Sequence, residues 1–171
     1  MNSPSDEPGK IDMGDVFEVQ PSRQKKSERV SDYRTGQSIG YLIRDCFRDM
    51  TKLLEKSIAS SGVKMGQWYF LRELWEENGL TQRELSDRVG MMEPTTVIAV
   101  RGMISDGLVT RVRDPDDRRK MRVYLTPRAR RLKTKLLPIA FEVNDKATEG
   151  LSPEEILRFR DTIKRIKQNL I

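Results

Sequence analysis

Residues 79–126 constrain the fold of this chain more than any other stretch. Thr81 and Glu84 have the spacing of a capping box, in which the threonine hydroxyl accepts from the Glu84 amide and the carboxylate accepts from the Thr81 amide. Gly90 then ends a short helix. Pro94 stands at the expected start of a second helix, where its missing N–H costs nothing. The pattern therefore predicts two short helices joined by a tight turn, over residues 81–90 and 94–105.

A charged β-hairpin is predicted after the second helix. Residues 108–113 and 121–125 alternate between apolar and polar side chains, as strands do, with a turn at 114–117 between them. A hairpin this short and polar cannot hold a core alone, so it must pack on a helical body. Two helices, a turn and a hairpin in this order are typical of a winged helix-turn-helix, whose second helix enters a DNA major groove. An arginine at the hairpin tip can enter a narrow minor groove, and a nearby carboxylate can orient its guanidinium.

The second helix, which would read the bases, has two candidate buried faces. One runs through Thr96, Val100 and Met103, and the other runs through Val97, Val100 and Ile104. Both bury Val100, so the pattern alone leaves the choice open. Threonine can bond to a base or a phosphate, and arginine can pair with guanine O6 and N7. The residues predicted to meet base edges are Pro94, Thr95, Thr96, Ile98 and Arg101.

Basic residues concentrate in the same region. Residues 111–135 contain eleven Lys or Arg and three Asp, a net charge of +8, whereas the whole chain carries +6. The rest of the chain is therefore net −2, and a local excess of this kind is expected of a surface that binds a polyanion. A solvated helix face would carry the same excess, so the charge alone leaves both interpretations open.

The composition argues against an enzyme and against a metal or cofactor site. Histidine is absent and there is one cysteine, which removes histidine-based catalysis and the usual zinc-ligand spacings. No glycine pattern for binding phosphates or dinucleotides occurs. No apolar run approaches the roughly 20 residues that span a bilayer, and residues 1–17 lack the features of a signal peptide. The sequence therefore predicts a non-catalytic, cytoplasmic protein that uses no membrane.

Amphipathic helices are predicted on both sides of the central region. Apolar residues recur at three- and four-residue steps over 38–60, 66–77 and 127–147. A last helix begins at Pro153, and its apolar residues recur about every 3.5 positions, which suggests packing against a second subunit. By contrast, residues 1–36 are polar and without a sustained period, so they are interpreted as an extension. Its Phe17 and Val19 are expected to lie against the folded body or a partner subunit.

Two sets of residues in these helices have alternative interpretations. Cys46 lies within the first apolar stripe and is interpreted as a small buried core residue, because a redox-sensing thiol needs an exposed, electropositive setting. Trp68 and Trp75 are interpreted as core residues of the helix predicted over 66–77. The alternative is that Trp68, Tyr69 and Trp75 line a pocket for an aromatic ligand.

The central stretch resembles the MarR family of transcriptional regulators. The resemblance rests on five segments of sequence: GLTQRELSDRVG (79–90), EPTTV (93–97), DGLVTR (106–111), DPDDRR (114–119) and VYLT (123–126). It implies a mainly α fold with a small β-wing, in which a winged helix-turn-helix is joined to a helical dimerisation domain. The predicted divisions are an extension at 1–36, a dimerisation region at 37–62 and 127–171, and a DNA-binding domain at 63–126.

The resemblance also implies roles for individual residues. The homodimer would place one recognition helix in each major groove of a pseudo-palindromic operator. The family's wing aspartate and the arginine two residues later correspond to Asp117 and Arg119, so Arg119 would enter the minor groove and Asp117 would orient it. Arg118 and Lys120 would contact phosphates. With Thr81 at the start of the first short helix, the predicted DNA contacts are Thr81, Pro94, Thr95, Thr96, Ile98, Arg101, Asp117, Arg118, Arg119 and Lys120.

Many members of the family release DNA when a small anion binds between their dimerisation and DNA-binding domains. Here the implied ligand residues are Arg44, Trp68, Tyr69 and Arg72, and the implied effector is an aromatic acid or its coenzyme A thioester. The resulting hypothesis is a ligand-responsive repressor that partners with double-stranded DNA and with a second copy of itself. The alternative hypothesis is an architectural DNA-binding protein without effector control.

Overall fold

The computed structural model describes residues 38–171, so the predicted extension at 1–36, with Phe17 and Val19, lies outside the described residues. The described chain is mainly helical with a small antiparallel sheet, as predicted. Its elements in order are α1 (Ile39–Ile58), a 3₁₀ turn (Ala59–Ser61), α2 (Met65–Glu76), β1 (Leu80–Thr81), α3 (Gln82–Val89), α4 (Glu93–Ser105), β2 (Val109–Arg113), β3 (Met121–Leu125), α5 (Pro127–Ala147) and α6 (Pro153–Gln168).

Local capping interactions define the starts of several helices, including the capping box that the sequence predicted for Thr81 and Glu84. The Thr81 hydroxyl accepts from the Glu84 amide at 3.2 Å, and the Glu84 carboxylate accepts from the Thr81 amide at 2.7 Å. Ser152 and Glu155 make the same reciprocal pair before α6. Thr126 caps α5 by accepting from the Ala129 amide at 3.2 Å. The recognition helix α4 begins one residue earlier than predicted, at Glu93, which places Pro94 at its second position.

The sheet has one strand more than the sequence predicted. The hairpin strands β2 and β3 pair as expected, from Val109 opposite Leu125 to Arg113 opposite Met121. The short strand β1 pairs with the other edge of β3, which makes the order β1-β3-β2. Just before β1, the Gly79 amide donates to the Val123 carbonyl at 3.0 Å. The hairpin is thereby joined through its own hydrogen-bond ladder to the start of α3.

The hydrophobic core is built around α2. Trp68 and Trp75 lie on this helix in an edge-to-face arrangement with ring centroids 5.7 Å apart, and both are buried. The Trp75 indole N–H donates to the Ala129 carbonyl at 3.0 Å, which ties α2 to α5. Further buried residues from the helices and the sheet complete this core: Phe70, Leu71, Leu74, Leu85, Val100, Met103, Leu108, Val109, Val123 and Leu136.

Two helices leave apolar surface uncovered in the single chain. In α1 only Leu54 and Ile58, both near its end, are buried. In α6 no residue is buried. The exposed large apolar side chains of these helices are Ile39, Leu42, Ile43, Phe47, Leu157 and Phe159.

The interpretation of Cys46 as a buried core residue is wrong for the single chain. The Cys46 side chain is exposed, because the first half of the α1 stripe is not covered by the core of its own chain. Among residues 38–171, no helix is both long enough and apolar enough to cross a membrane.

Candidate functional site

The structure decides which face of the recognition helix α4 is buried. Thr96, Val100 and Met103 face the core, which is the first of the two predicted alternatives, whereas Val97 and Ile104 are only partly buried. The opposite face carries four of the predicted base-contacting residues in exposed positions: Pro94, Thr95, Ile98 and Arg101. Ile98 is 70% exposed, which is unusual for isoleucine and suits a contact with a thymine methyl group.

Two of the predicted DNA contacts are contradicted by the structure. Thr96 is 0% exposed, because its position on α4 places it on the core side, so it cannot reach a base. Thr81 is also buried, and its hydroxyl is occupied by Glu84, to whose carboxylate it donates at 2.9 Å. The role of Thr81 is therefore to cap α3. The sequence pattern placed both residues near the DNA without showing which way their side chains face.

The wing presents one strongly exposed arginine held by a carboxylate. Arg119 is 93% exposed, and its Nε lies 3.1 Å from Asp117 Oδ1 while its Nη2 lies 3.4 Å from Oδ2. This is the bidentate pair that the sequence predicted. Lys120 Nζ lies 3.8 Å from the same carboxylate, and Arg118 is exposed beside them. An arginine held in this way loses less conformational entropy when it binds than a free one.

A second ion pair at the base of the wing was not predicted. Asp114 is buried, and its Oδ2 lies 2.5 Å from Arg122 Nε. Arg122 also donates through Nη1 to the Gly79 carbonyl at 2.9 Å, in the turn between α2 and β1. These partners are far apart in the sequence, so no local pattern signals the contact.

Backbone N–H groups hold the Asp114 carboxylate in its charged form. The amides of Asp117 and Asp116 donate to it, and together with the Arg122 guanidinium they lower the pKa of Asp114 below its ordinary value. The Glu84 carboxyl likewise has a lowered pKa, chiefly because it accepts from the Thr81 amide and hydroxyl. Both carboxylates therefore remain charged at neutral and mildly acidic pH.

Replacing Asp114 by asparagine is expected to destabilise the fold at neutral pH and to matter less in acid. A carboxyl whose pKa is lowered by folding stabilises the native state above its ordinary pKa of about 3.9. That contribution is lost as the pH falls through the lowered value. Urea unfolding at pH 7 and at several points below about pH 4 should show the wild type and Asp114→Asn converging in acid. A constant difference across this range would contradict the assignment.

A cationic groove separates the wing from α3. This groove has a volume of about 470 Å³, and its basic lining residues are Arg83, Arg119, Lys120 and Arg122, with Glu84 and Asp87 as its acidic ones. Gln82 also lines it, and its buried Nε2 donor has no hydrogen-bond partner among residues 38–171. Sequence reasoning missed Gln82 and Arg83 as candidate contacts. The capping box formed by Thr81 and Glu84 encloses both residues and could have indicated that they lie in the first turn of a DNA-facing helix.

Three of the four predicted ligand residues line one cavity. Trp68, Tyr69 and Arg72 of α2 face a space of about 150 Å³ closed by side chains of α1 and α5, including Phe47 and Val143. In the part of the chain that the structure describes, Arg72 has no hydrogen-bond or ion-pair partner. The fourth residue, Arg44, does not line this cavity. It lies on an open groove with Arg48 and Lys52, next to the cavity wall.

No group of three or more His, Cys, Asp or Glu side chains in residues 38–171 could hold a metal ion.

Comparisons with known proteins identify the fold and its class. A model of the MarR family matches residues 63–121. The HTH-type transcriptional regulator BilQ of Clostridium symbiosum is 26% identical over 119 residues, which cover 70% of this chain and 83% of that protein. The crystal structure of a MarR transcriptional regulator from Methanosarcina mazei Go1 superimposes with a TM-score of 0.72 at 29% identity, covering 77% of this chain and 94% of that one.

A more distant neighbour shares the fold. BpsR of Bordetella bronchiseptica, whose DNA binding is regulated by 6-hydroxynicotinic acid, superimposes with a TM-score of 0.72 at 21% identity, covering 79% of this chain and 96% of that one. This likeness concerns the fold alone. Residues 63–121 match the MarR family of transcriptional regulators, whose members bind DNA through a winged helix and are not enzymes.

Proposed function

We propose that this protein is a homodimeric repressor that binds a pseudo-palindromic operator and is released from it by a small aromatic anion. The observation that carries the proposal is the DNA-binding surface of a single subunit. Its exposed α4 face bears Thr95, Ile98 and Arg101, and its wing bears the oriented Arg119. Such a regulator acts where the chromosome lies, so a cytoplasmic location is part of the proposal.

Contacts to the DNA backbone would position these residues. Arg118 and Lys120 flank Arg119 on the wing and are exposed, so they can bind the phosphates beside the minor groove. Arg83 is 81% exposed on the other wall of the groove between α3 and the wing. A sugar–phosphate strand that runs from the major groove to the minor groove would pass through this space. We therefore add Arg83 and Gln82 to the proposed DNA contacts.

Dimerisation would cover the apolar surface that a single chain leaves exposed. Helices α1 and α6, the first and last described elements, each leave several large apolar side chains uncovered. Monomeric proteins rarely leave a contiguous apolar patch of this kind in contact with water. Two subunits joined through these helices would hold two recognition helices at a spacing that suits half-sites one helical turn apart.

The cavity beside α2 is the proposed effector site. Its walls are aromatic and aliphatic, and the guanidinium of Arg72 is available for a carboxylate. Gln67, which precedes Trp68 on α2, donates to the Asp106 carboxylate at 2.6 Å at the end of α4. A ligand that displaces α2 would therefore shift α4 and favour a spacing of recognition helices that no longer fits the operator.

Operator binding tests the repressor proposal. Fluorescence anisotropy with a duplex from the protein's own promoter region should give an affinity at least roughly 1,000-fold above that for random DNA, with a steep salt dependence. Equal affinity for random duplex would contradict a sequence-specific repressor and would favour the architectural alternative.

Replacing Arg72 by methionine is expected to weaken effector binding at least about tenfold, because the ligand carboxylate loses its charged partner. The chain's two tryptophans, Trp68 and Trp75, both lie near the cavity, so intrinsic fluorescence reports binding. The probes are 6-hydroxynicotinate, benzoate and benzoyl-coenzyme A, each tested for release of the operator. Arg44→Met is the matched control, because Arg44 lies outside the cavity and should leave binding unchanged. Equal losses in both variants would contradict the assignment.

A further inference from the structure

We infer that Arg122 and Asp114 are positioning residues for minor-groove recognition, which hold the wing loop so that Asp117 can aim Arg119 at the DNA. The inference rests on the proposed role of Arg119 and extends it to two residues that act on Arg119 through Asp117. Three successive contacts connect these residues, from the folded body outward to the wing tip.

The first contact joins the wing to the helix-turn-helix body. Arg122 of β3 donates to the Gly79 carbonyl at 2.9 Å and pairs with Asp114 Oδ2 at 2.5 Å. The Asp114 side chain is 4% exposed and that of Arg122 is 35% exposed. The Arg122 guanidinium is engaged by both partners, and its partly exposed side chain also lines the groove between α3 and the wing. Gly79 belongs to the turn that leads into β1 and α3. The hydrogen bond from Arg122 therefore anchors the wing loop to the helix-turn-helix.

The second contact sets the shape of the loop. The other Asp114 oxygen, Oδ1, accepts from the amides of Asp116 at 2.9 Å and Asp117 at 3.0 Å. The loop is closed further by the Asp114 amide, which donates to the Lys120 carbonyl at 3.0 Å. One carboxylate therefore links Arg122 with the backbone of the residue that orients the wing arginine.

The third contact reaches the exposed arginine. Asp117 Oδ1 accepts from both the Arg119 amide and its Nε, each at 3.1 Å. The structure gives the Arg119 side chain this one carboxylate partner within residues 38–171, and the side chain is otherwise in solvent. The direction of the guanidinium therefore depends on Asp117, and the position of Asp117 depends on Asp114 and Arg122.

A buried ion pair is not needed merely to stabilise a hairpin of this size. Burying charges costs desolvation energy, and replacing such pairs by apolar groups is often neutral for stability. A pair that also fixes the geometry of an adjacent binding arginine has a functional reason to be there. This distinction can be measured, because a positioning role acts through Arg119 whereas a purely structural role does not.

A double-mutant cycle between Arg122 and Arg119 is the direct test. Full-length protein is assayed by anisotropy on a duplex selected from random sequence for tight binding. Arg119→Ala is expected to weaken binding roughly 5- to 150-fold. Arg122→Met is expected to weaken it about fivefold or more in the wild type, and less than about twofold when Arg119 is already alanine. Equal losses in the two backgrounds would overturn the inference, as would no loss in the wild type.

The base composition under the wing supplies a second readout. Changing A·T to G·C there puts the guanine amino group into the minor groove and should weaken wild-type binding. Arg119→Ala and Arg122→Met should both reduce that discrimination, an effect that loss of folded protein alone does not produce. Asp114→Asn, which keeps the side-chain shape, should act in the same direction, and thermal melting checks that each variant is folded. Undiminished discrimination in folded Arg122→Met and Asp114→Asn would overturn the inference.

The cycle also separates this inference from the proposal on which it rests. If Arg119→Ala has no effect on DNA binding, the proposed minor-groove contact fails. If Arg119→Ala weakens binding and Arg122→Met does not, the contact stands and the positioning role of Arg122 fails.

Discussion

Ending the chain after Leu151 is expected to abolish the dimer and to weaken operator binding roughly 100- to 10,000-fold, the range in which a second linked site raises affinity. The truncation removes α6, whose Leu157 and Phe159 are exposed and which contributes no buried residue to its own chain. The core around α2 does not include α6, so the shortened protein should remain folded. Sedimentation velocity measures the oligomeric state, and circular dichroism confirms that the helices persist.

A pair of point variants separates loss of the apolar surface from loss of chain length. Ile163→Glu places a charge on the apolar stripe of α6, whereas Arg165→Glu changes a residue about 200° round the helix from it. We expect the first variant to be monomeric and the second to remain dimeric. A full-length wild-type protein that sediments as a folded monomer would contradict the dimer proposal itself.

Helix boundaries were the most predictable part of the fold, because they depend on contacts within four residues. The pair Thr81 with Glu84 forms the capping interaction that its spacing predicted, and Ser152 with Glu155 forms the same local interaction. The Asp117–Arg119 pair, which the resemblance to the family implied, is also a local contact, because only two positions separate its members. For local contacts of this kind, the sequence spacing nearly determines the geometry.

Contacts between distant segments were not predictable from the pattern. Arg122 and Gly79 are separated by 43 positions, so no local sequence pattern indicates their hydrogen bond. Strand β1 is only two residues long, which is too short for an alternating pattern to be recognised. The buried face of α4 was ambiguous because apolar residues surround the helix, and packing against the core decided in favour of Thr96. The Cys46 prediction failed for a related reason: an apolar stripe does not reveal whether its own chain or another covers it.

Replacing Arg119 by alanine is expected to weaken operator binding by about 1–3 kcal/mol while leaving the dimer and the fold unchanged. Within residues 38–171 the Arg119 side chain pairs with Asp117 alone, at the surface, so little stability is lost with it. Anisotropy at several salt concentrations measures the affinity, and sedimentation measures the dimer. A parallel loss of the dimer would show that the residue is structural.

Arg131→Ala is the matched control for this variant, because it removes the same charge from an exposed position on α5 within the same basic segment. If Arg119 acts in the minor groove, the loss of affinity caused by Arg119→Ala should depend on the bases beneath the wing. It should also exceed the loss of affinity caused by Arg131→Ala. A general electrostatic role predicts a different result, since both variants would then weaken binding alike on every duplex and lower the salt dependence equally. Equal losses would therefore assign Arg119 to non-specific attraction and remove the basis for an oriented wing contact.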